Sequence, residues 1–575
     1  MNPFFHRFTC LLGLLLAAGT LPVAAQLNWE WATASLGQST SEGAAITTDA
    51  RGNVFVAGSY GSYTSYDTHT VQFSPSVTLT NRGFRDLFVA KYDPTGAVAW
   101  AASIHAKHDV PLDLANLTID STGNVYVGGT CPDSTRFGSL LLTFSNNISS
   151  FRKQGFVAKL DPAGRWLWVR AVSCFAGGVA QSSSLTALRT DPAGNVTLVG
   201  SVPPAGADSV RVGGAVTTSL SMGVFVARLE ATGFGLWVTA PHVVTPWVGA
   251  GLMDVQLDAA GDAYLTGYTD TAVVFGADTV RGSSGYHSTP PNQLYPIMYD
   301  GFIAKISAAG NWQYARELLR TLPEGLTVQP NGTAMVAASY GNLLTTPSVL
   351  GQDTLRGVGA LVVPIGPTGQ LGRVRLVPNN IQVQLRCWAI GPDGTTYFSS
   401  YSRDSLRFGA FTLPALPNGP DRAYVAQLSP AGQWTGLVEA LPQANDWAVI
   451  RAMAVDPAGR LCVTGGLLGT VTFGATQLTR QPSTFIVARL TTQPLGLPAT
   501  EAPVERLTLY PNPARTTLTV GRPGAPVQLL DALGRVVRTA PVPTGAETAT
   551  LDVRGLPAGL YVVRAGRQTR RLVVE

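Results

Sequence analysis

Four side chains between Ile104 and Leu114 have types that could bind a metal. The stretch "HAKHDVPLD" carries His105, His108, Asp109 and Asp113. A His-x-x-His pair with two carboxylates supplies nitrogen and oxygen donors suited to zinc or a similar divalent ion. No second cluster stands elsewhere in the chain to complete a ligand shell, so a solvated loop is the competing reading. Four cysteines follow Cys10, namely Cys131, Cys174, Cys387 and Cys462. They sit singly within strand-like segments and show no C-x-x-C spacing, which favours buried thiols, although an exported protein could pair them. There is no Gly-x-Ser-x-Gly elbow, no His-Glu-x-x-His and no phosphate loop. No cofactor is called for.

Most of the other conspicuous carboxylates belong to a repeat. "DARGNVFVAGS" returns six times, with turn glycines Gly52, Gly123, Gly194, Gly261, Gly332, Gly394 and Gly459. Their spacings of 71, 71, 67, 71, 62 and 65 residues define a unit of nearly fixed length. A second signature, "FVAKYDPTGAVAW", follows within each unit, is worn in the fifth and stops after its first strand in the seventh. Asp, then Pro or a small residue, then Gly at the fourth place is the chemistry of a type I turn. Asp49, Asp120, Asp191, Asp258 and Asp456, with Asp93 and Asp161, are therefore read as turn formers. Asp86 and Asp300 precede the "FVAK" and "FIAK" strands at one phase, where Lys91 and Lys305 are their expected partners.

Each unit thus holds two tight hairpins, separated by an insertion of about 25 residues that often contains a Phe-Gly pair, and no helix signal appears. Four strands per unit and seven units imply an all-β fold, a seven-bladed β-propeller. The opening strand "LNWEWATA" has no earlier partner, and the seventh unit lacks the strand that it matches. Trp29 and Trp31, expected on one face, therefore mark a strand that pairs with Phe485 to Leu490 and closes the ring, removing exposed edges. A linear solenoid would need polar caps at both ends, and none is visible.

The remaining segments concern address. Arg7, the apolar run Leu11 to Ala18 and the small residues before Ala25 and Gln26 make residues 1–25 a secretory signal peptide, cleaved between Ala25 and Gln26. No later apolar stretch is long enough to be a transmembrane segment. The net charge of +5 is mild and its basic residues are scattered, which argues against nucleic acid. Residues 26–490 are the propeller, 491–505 a Pro/Thr-rich linker, and 506–575 a small Ig-like β-sandwich.

Two resemblances add to this. The repeats resemble the bacterial propeller repeats related to NHL repeats, on "AxDxxGNVYVxG…DxFVAKLDxxGxxxW", a match that bears on fold and little on function. The C-terminal module resembles the type A sorting domain of the type IX secretion system of the Bacteroidetes. It does so through Tyr510-Pro511-Asn512-Pro513, the turn from Asp531 to Gly534 with Arg535, "LPAGLY" with Gly559 and Tyr561, and the basic Arg570 and Arg571 before an apolar end. That resemblance implies passage through the periplasm and across the outer membrane by the secretion machinery. It also implies removal of the domain by a sortase-like peptidase, and release or attachment at the cell surface.

Asp followed by Ser/Thr and a small or apolar residue occurs seven times, six of them in insertions. The pattern resembles the O-glycan acceptor motif of Bacteroidetes periplasmic proteins, which would make Ser134, Ser209, Thr271, Thr279, Thr354 and Ser405 attachment points; the plainer reading is turn formation. Sialidase-type Ser-x-Asp-x-Gly-x-Thr-Trp boxes are only superficially approached by the "DxxGN" turns. The functional expectation is an exported, non-catalytic surface or secreted propeller, for adhesion or binding of a glycan, polymer or protein. An exported hydrolase or lyase with a site at the channel mouth is the alternative, and a purely structural envelope component the third.

Overall fold

The structure is a computed structural model. It describes residues 25–494 and 507–575, apart from 63–68, 83–84, 107–112, 145–152, 203–207, 219–222, 245–249, 283–299, 342–347, 378–386, 417–418, 420, 444, 522–524, 532–533, 543–545, 547 and 567. Among these every regular element is a strand. No helix is long and apolar enough to cross a membrane, which leaves strand-based crossing unaddressed. The chain divides into two compact units, Met1–Leu495 and Gly496–Glu575.

In the first unit each repeat folds as an antiparallel meander. The first repeat runs Thr40–Thr48, Val54–Gly61, Arg85–Tyr92 and Val98–His105, each strand paired to the next. The first strands of the others are Asp113–Ile119, Ser184–Thr190, Ala250–Leu257, Thr321–Val328, Cys387–Ile390 and Trp447–Val455. Successive first strands pack side by side, and Trp447–Val455 also packs beside Thr40–Thr48. The seventh meander takes its fourth strand from the start of the described chain: Ala25–Ala34 pairs antiparallel with Thr476–Pro494, Trp29 opposite Leu490 and Ala34 opposite Ile486. That partner continues through Pro494, so the segment expected to begin a linker at residue 491 starts as strand.

The Asp-x-x-Gly turns form as their chemistry demands. In "DARGN" the Gly52 N–H donates to the Asp49 carbonyl at 3.0 Å, while Asp49 Oδ1 accepts from the Arg51 and Asn53 N–H groups. Gly52 has φ +79°, a left-handed position that glycine fills without Cβ strain.

The insertions hold more structure than their sequence suggested. In repeats one to six they form a third short hairpin, such as Thr135–Phe137 with Leu140–Leu142. The Phe of each Phe-Gly turn is buried: Phe137, Phe275, Phe408 and Phe473 pack edge-on against Trp166, Trp312, Trp434 and Trp29, with centroids 4.7–5.3 Å apart. Trp29 and Trp31 do not share a face as expected. A one-residue bulge at Glu30 puts them on opposite faces. Trp29 meets its own repeat's insertion hairpin, and Trp31 turns toward the first repeat. Trp166 and Trp168 are divided by the same bulge, at Leu167.

A tryptophan at the position of Trp31 clasps the next repeat. The indole N–H groups of Trp31, Trp100, Trp168 and Trp237 donate to the carbonyls of Pro94, Pro162, Ala231 and Ala308 at 3.0–3.2 Å. Each indole lies so close over the turn glycine (Gly96, Gly164, Gly233, Gly310) that an added Cβ would fall within 3.0 Å of it. Tyr314 covers Gly369 in the same way, whereas Gly432 has nothing within 4 Å.

Basic residues of the third strands buttress the turns. Lys305 lies 3.0 Å from Asp258 and 3.4 Å from Asp262, and Arg228 lies 2.6 Å from Asp191 and donates to the Gly261 carbonyl at 2.7 Å. This corrects the expected pairing of Asp300 with Lys305 and of Asp86 with Lys91. Residues five apart on a strand point to opposite faces and lie at opposite ends.

The second unit, from Leu507 on, packs the three-stranded sheet Thr508–Tyr510, Thr517–Gly521 and Thr548–Asp552 against the four-stranded sheet Val536–Ala540, Val527–Leu530, Gly559–Ala565 and Gln568–Val574. Leu518, Val520, Val527, Leu529, Leu551, Val563 and Leu572 form its core.

Cys131, Cys174, Cys387 and Cys462 are free and buried, and burial pushes the thiols of Cys131 and Cys387 up to about 12. Thiol titration of the chain lacking residues 1–25 should therefore find four reactive groups in denaturant and almost none under native conditions. Trp100→Ala should cost about 3 kcal/mol in urea unfolding, since it removes a large, half-buried ring and strands a turn carbonyl.

Candidate functional site

The meander gives each repeat two unlike ends. Both Asp/Gly turns lie at one end, and the insertion plus the link to the next repeat lie at the other. At this variable end six of the seven first strands carry a bulge at one aligned position: Ala44, Ala115, Thr186, Met253, Glu324 and Arg451. Bulges re-aim side chains, and they recur at sheet rims beside functional sites. Half of this row is small, and half carries Met, Glu and Arg.

Polar contacts join neighbouring first strands along their length, from the turn end up to the row. Thr118 and Thr190 hydroxyls lie 3.1 Å apart. Arg189 donates to Gln256 Oε1 at 3.1 Å and lies 3.5 Å from Asp254, which also accepts from the Leu326 N–H. Glu324 accepts from the Trp388 indole at 2.8 Å and the Ser339 hydroxyl at 2.6 Å. Arg451 pairs with Glu42, which Arg85 approaches at 3.6 Å. Burial pushes the Asp254 carboxyl up against the pull of Arg189. Burial also raises Glu324, more than its two donors lower it. Each carboxylate is engaged by a neighbouring side chain, and Ala44, Met253 and Arg451 are exposed members of the row.

The metal reading of "HAKHDVPLD" finds no support among the described residues. His105 Nδ1 lies 2.7 Å from Asp86 and its Nε2 lies 2.7 Å from Ser103 Oγ, which occupies both ring nitrogens. Asp113 opens a strand opposite Thr130, and His108 and Asp109 lie outside the described residues. No group of three or more His, Cys, Asp or Glu among the described residues is placed to hold a metal. Sequence reasoning missed both Asp86–His105 and the bulge row. Aligning the repeats column by column exposes the first, because His105 and Asp86 stand where the second repeat has the neutral Ser173 and Gln154.

The Asp-Ser/Thr pattern has a structural role. Asp133, Asp278 and Asp353 accept the N–H groups of Phe144, Ala315 and Val374 at 2.6–2.9 Å, and Asp208 accepts from Gly177. Of the proposed acceptors, Ser209 and Thr271 are buried, Ser134 and Thr279 half-buried, and Thr354 and Ser405 exposed.

In the second unit, the motif residues tie the chain to its last strand. Asn512 donates to the Arg571 carbonyl at 3.0 Å and accepts from the Val573 N–H at 2.9 Å. Arg570 reaches the Leu507 carbonyl, and the Tyr561 hydroxyl donates to the Pro557 carbonyl. Arg535 Nε meets Asp531 at 2.8 Å across the turn closed by Gly534. Gly559 opens its strand, and Tyr510 is 79 % exposed beside Pro511 and Pro513. This segment matches the family model described as "Secretion system C-terminal sorting domain" over 508–575. Residues 508–575 are a type IX sorting domain.

The sorting domain supports secretion across the outer membrane to the cell surface or beyond. For the repeats, an uncharacterized WD repeat-containing protein of Acanthamoeba polyphaga mimivirus is 27 % identical over 298 residues. That match covers 47 % of this chain and only 19 % of the relative. Among solved structures, the Dos1 propeller has a TM-score of 0.36 at 8 % identity, covering 80 % of this chain and 95 % of its own. An ulvan lyase of a polysaccharide lyase family has 0.39 at 9 %, covering 75 % and 93 %. Likeness at this level says nothing of activity.

The raised carboxyl of Glu324 predicts a pH signature. A carboxylic acid whose folded pKa exceeds its unfolded value near 4.5 binds more protons when folded, so its contribution to stability falls as pH rises above that value. Melting scans from pH 4 to 7 should show the wild-type Tm dropping relative to Glu324→Gln.

Proposed function

We propose that the chain is an exported seven-bladed β-propeller whose main role is to bind an extracellular glycan, polymer or protein at the variable end of its repeats. One observation carries the binding reading: the insertions, the inter-repeat links and the polar bulge row all gather at one end of the strands, opposite the tight turns. A rigid frame with variable segments at one end suits recognition of a broad ligand. The ring reading is supported by the pairing of Ala25–Ala34 with Thr476–Pro494, the Arg451–Glu42 contact and the hydrogen bond from Trp31 to Pro94. In this reading residues 1–25 are a signal peptide and Gln26 begins the mature chain. The sorting domain is then cut off by a sortase-like peptidase after export. Thr354 and Ser405 are the O-glycan acceptors open in the fold.

The hydrolase or lyase reading at the channel mouth is the weaker one, because Glu324, Asp254 and Glu42 are all engaged by neighbours.

Two deletions test the frame and the address. Removing Leu27 to Gly37 should lower Tm by 10 °C or more, the order expected for an opened edge and a lost clasp; an unchanged melt would refute ring closure. Removing 508–575 should leave the protein in the periplasm, read by cell fractionation and immunoblotting. Arg451→Ala should weaken capture on a glycan and protein array about tenfold while Tm stays within a few degrees.

A further inference from the structure

We propose that Ser103 is an activated nucleophile for carboxylic esters, served by His105 as general base and Asp86 as positioning residue. All three lie at the variable end of the first repeat. Ser103 and His105 are two residues apart on the strand Val98–His105 and share a face. Asp86 precedes Leu87, which pairs with Ile104, so it stands opposite His105. The distances run in relay order: Ser103 Oγ to His105 Nε2 is 2.7 Å, and His105 Nδ1 to Asp86 Oδ2 is 2.7 Å. Asp86 is 0 % exposed and held from both oxygens, Oδ2 accepting from the Arg82 N–H at 2.8 Å and Oδ1 from the Ala106 N–H at 3.3 Å.

This fixes the tautomer. An ionised carboxylate only accepts, so Nδ1 carries the hydrogen, Nε2 of the neutral ring accepts, and the serine hydroxyl donates. That is the arrangement in which a serine is activated, recognised by geometry and roles on any fold.

The constellation is private to one repeat. The position of Ser103 is alanine in the second, third and seventh repeats (Ala171, Ala240, Ala34), and the second repeat replaces Asp86 and His105 with Gln154 and Ser173, a neutral pair at 2.7 Å. The fold therefore does not require a histidine–aspartate pair there. Arg136, opposite His105 in the strand pairing and exposed, makes no ion pair among the described residues. It is a cation on that strand face for a developing oxyanion, and the Tyr60 hydroxyl, which hydrogen-bonds Ser103, also borders the nucleophile.

In the acylation step the Ser103 oxygen bonds to the ester carbonyl carbon, its proton passes to His105 Nε2, and the bond to the alkoxy oxygen breaks. The alcohol leaves with the proton returned by His105. Water then attacks the acyl-serine and gives a proton to the same nitrogen, which returns it to the Ser103 oxygen as the bond to the acyl carbon breaks and the carboxylic acid leaves.

The test uses the mature full chain with a fluorophosphonate probe and peptide mapping. Ser103 should be labelled at least about 100-fold faster than the exposed Ser76, the scale of general-base assistance. His105→Gln should abolish the excess rate with Tm unchanged, and Asp86→Asn should lower the rate by a similar factor. p-Nitrophenyl acetate hydrolysis should follow the labelling and vanish in Ser103→Ala. Labelling of Ser103 in the folded wild type no faster than Ser76 would overturn the proposal, whether or not Asp86→Asn folds.

Discussion

The frame depends on a single repeated contact, an indole laid over a glycine turn in the following repeat. Its N–H group satisfies a turn carbonyl that the hairpin cannot satisfy itself, and its ring takes the space that only glycine leaves free. Trp31 makes this contact to Gly96 from a strand that belongs, by pairing, to the seventh repeat. Buried cations act at the same joints. Arg489 is 0 % exposed and donates to the Pro94 carbonyl at 2.7 Å as well as to Gly52. Adjacent repeats are thereby fixed relative to one another by directional bonds as well as by apolar burial. The clasps end at the sixth repeat, where Gly432 stands uncovered.

Much of this was legible from turn chemistry and strand composition. The Asp-x-x-Gly period placed the tight turns, and the missing partner of "LNWEWATA" located the strand that Ala25–Ala34 joins. What stayed hidden has one physical origin. A bulge shifts the face of every following side chain by one, and no residue type announces it. That is why Trp29 and Trp31 were placed on one face, and why the aligned row ending in Glu324 and Arg451 was not read. The insertion hairpins were missed because their strands, such as Thr135–Phe137, are only three residues long and rest on one buried Phe.

The candidate site was less legible than the fold, since its members come from strands far apart in sequence. Arg451 meets Glu42, and Trp388 meets Glu324, only once the repeats are stacked. The sorting domain was the opposite case. Its signals are local turns and a terminal strand, and Asn512 and Arg570 prove to hold that strand in place.

The pairing of Ala25–Ala34 with Thr476–Pro494 also sets a timetable. The seventh sheet cannot be completed until almost the whole repeat region has left the ribosome, because its fourth strand is made first and its third strand last. Contacts so distant in sequence form slowly. Until then the strand Ala25–Ala34 waits without the partner that its own repeat region supplies last.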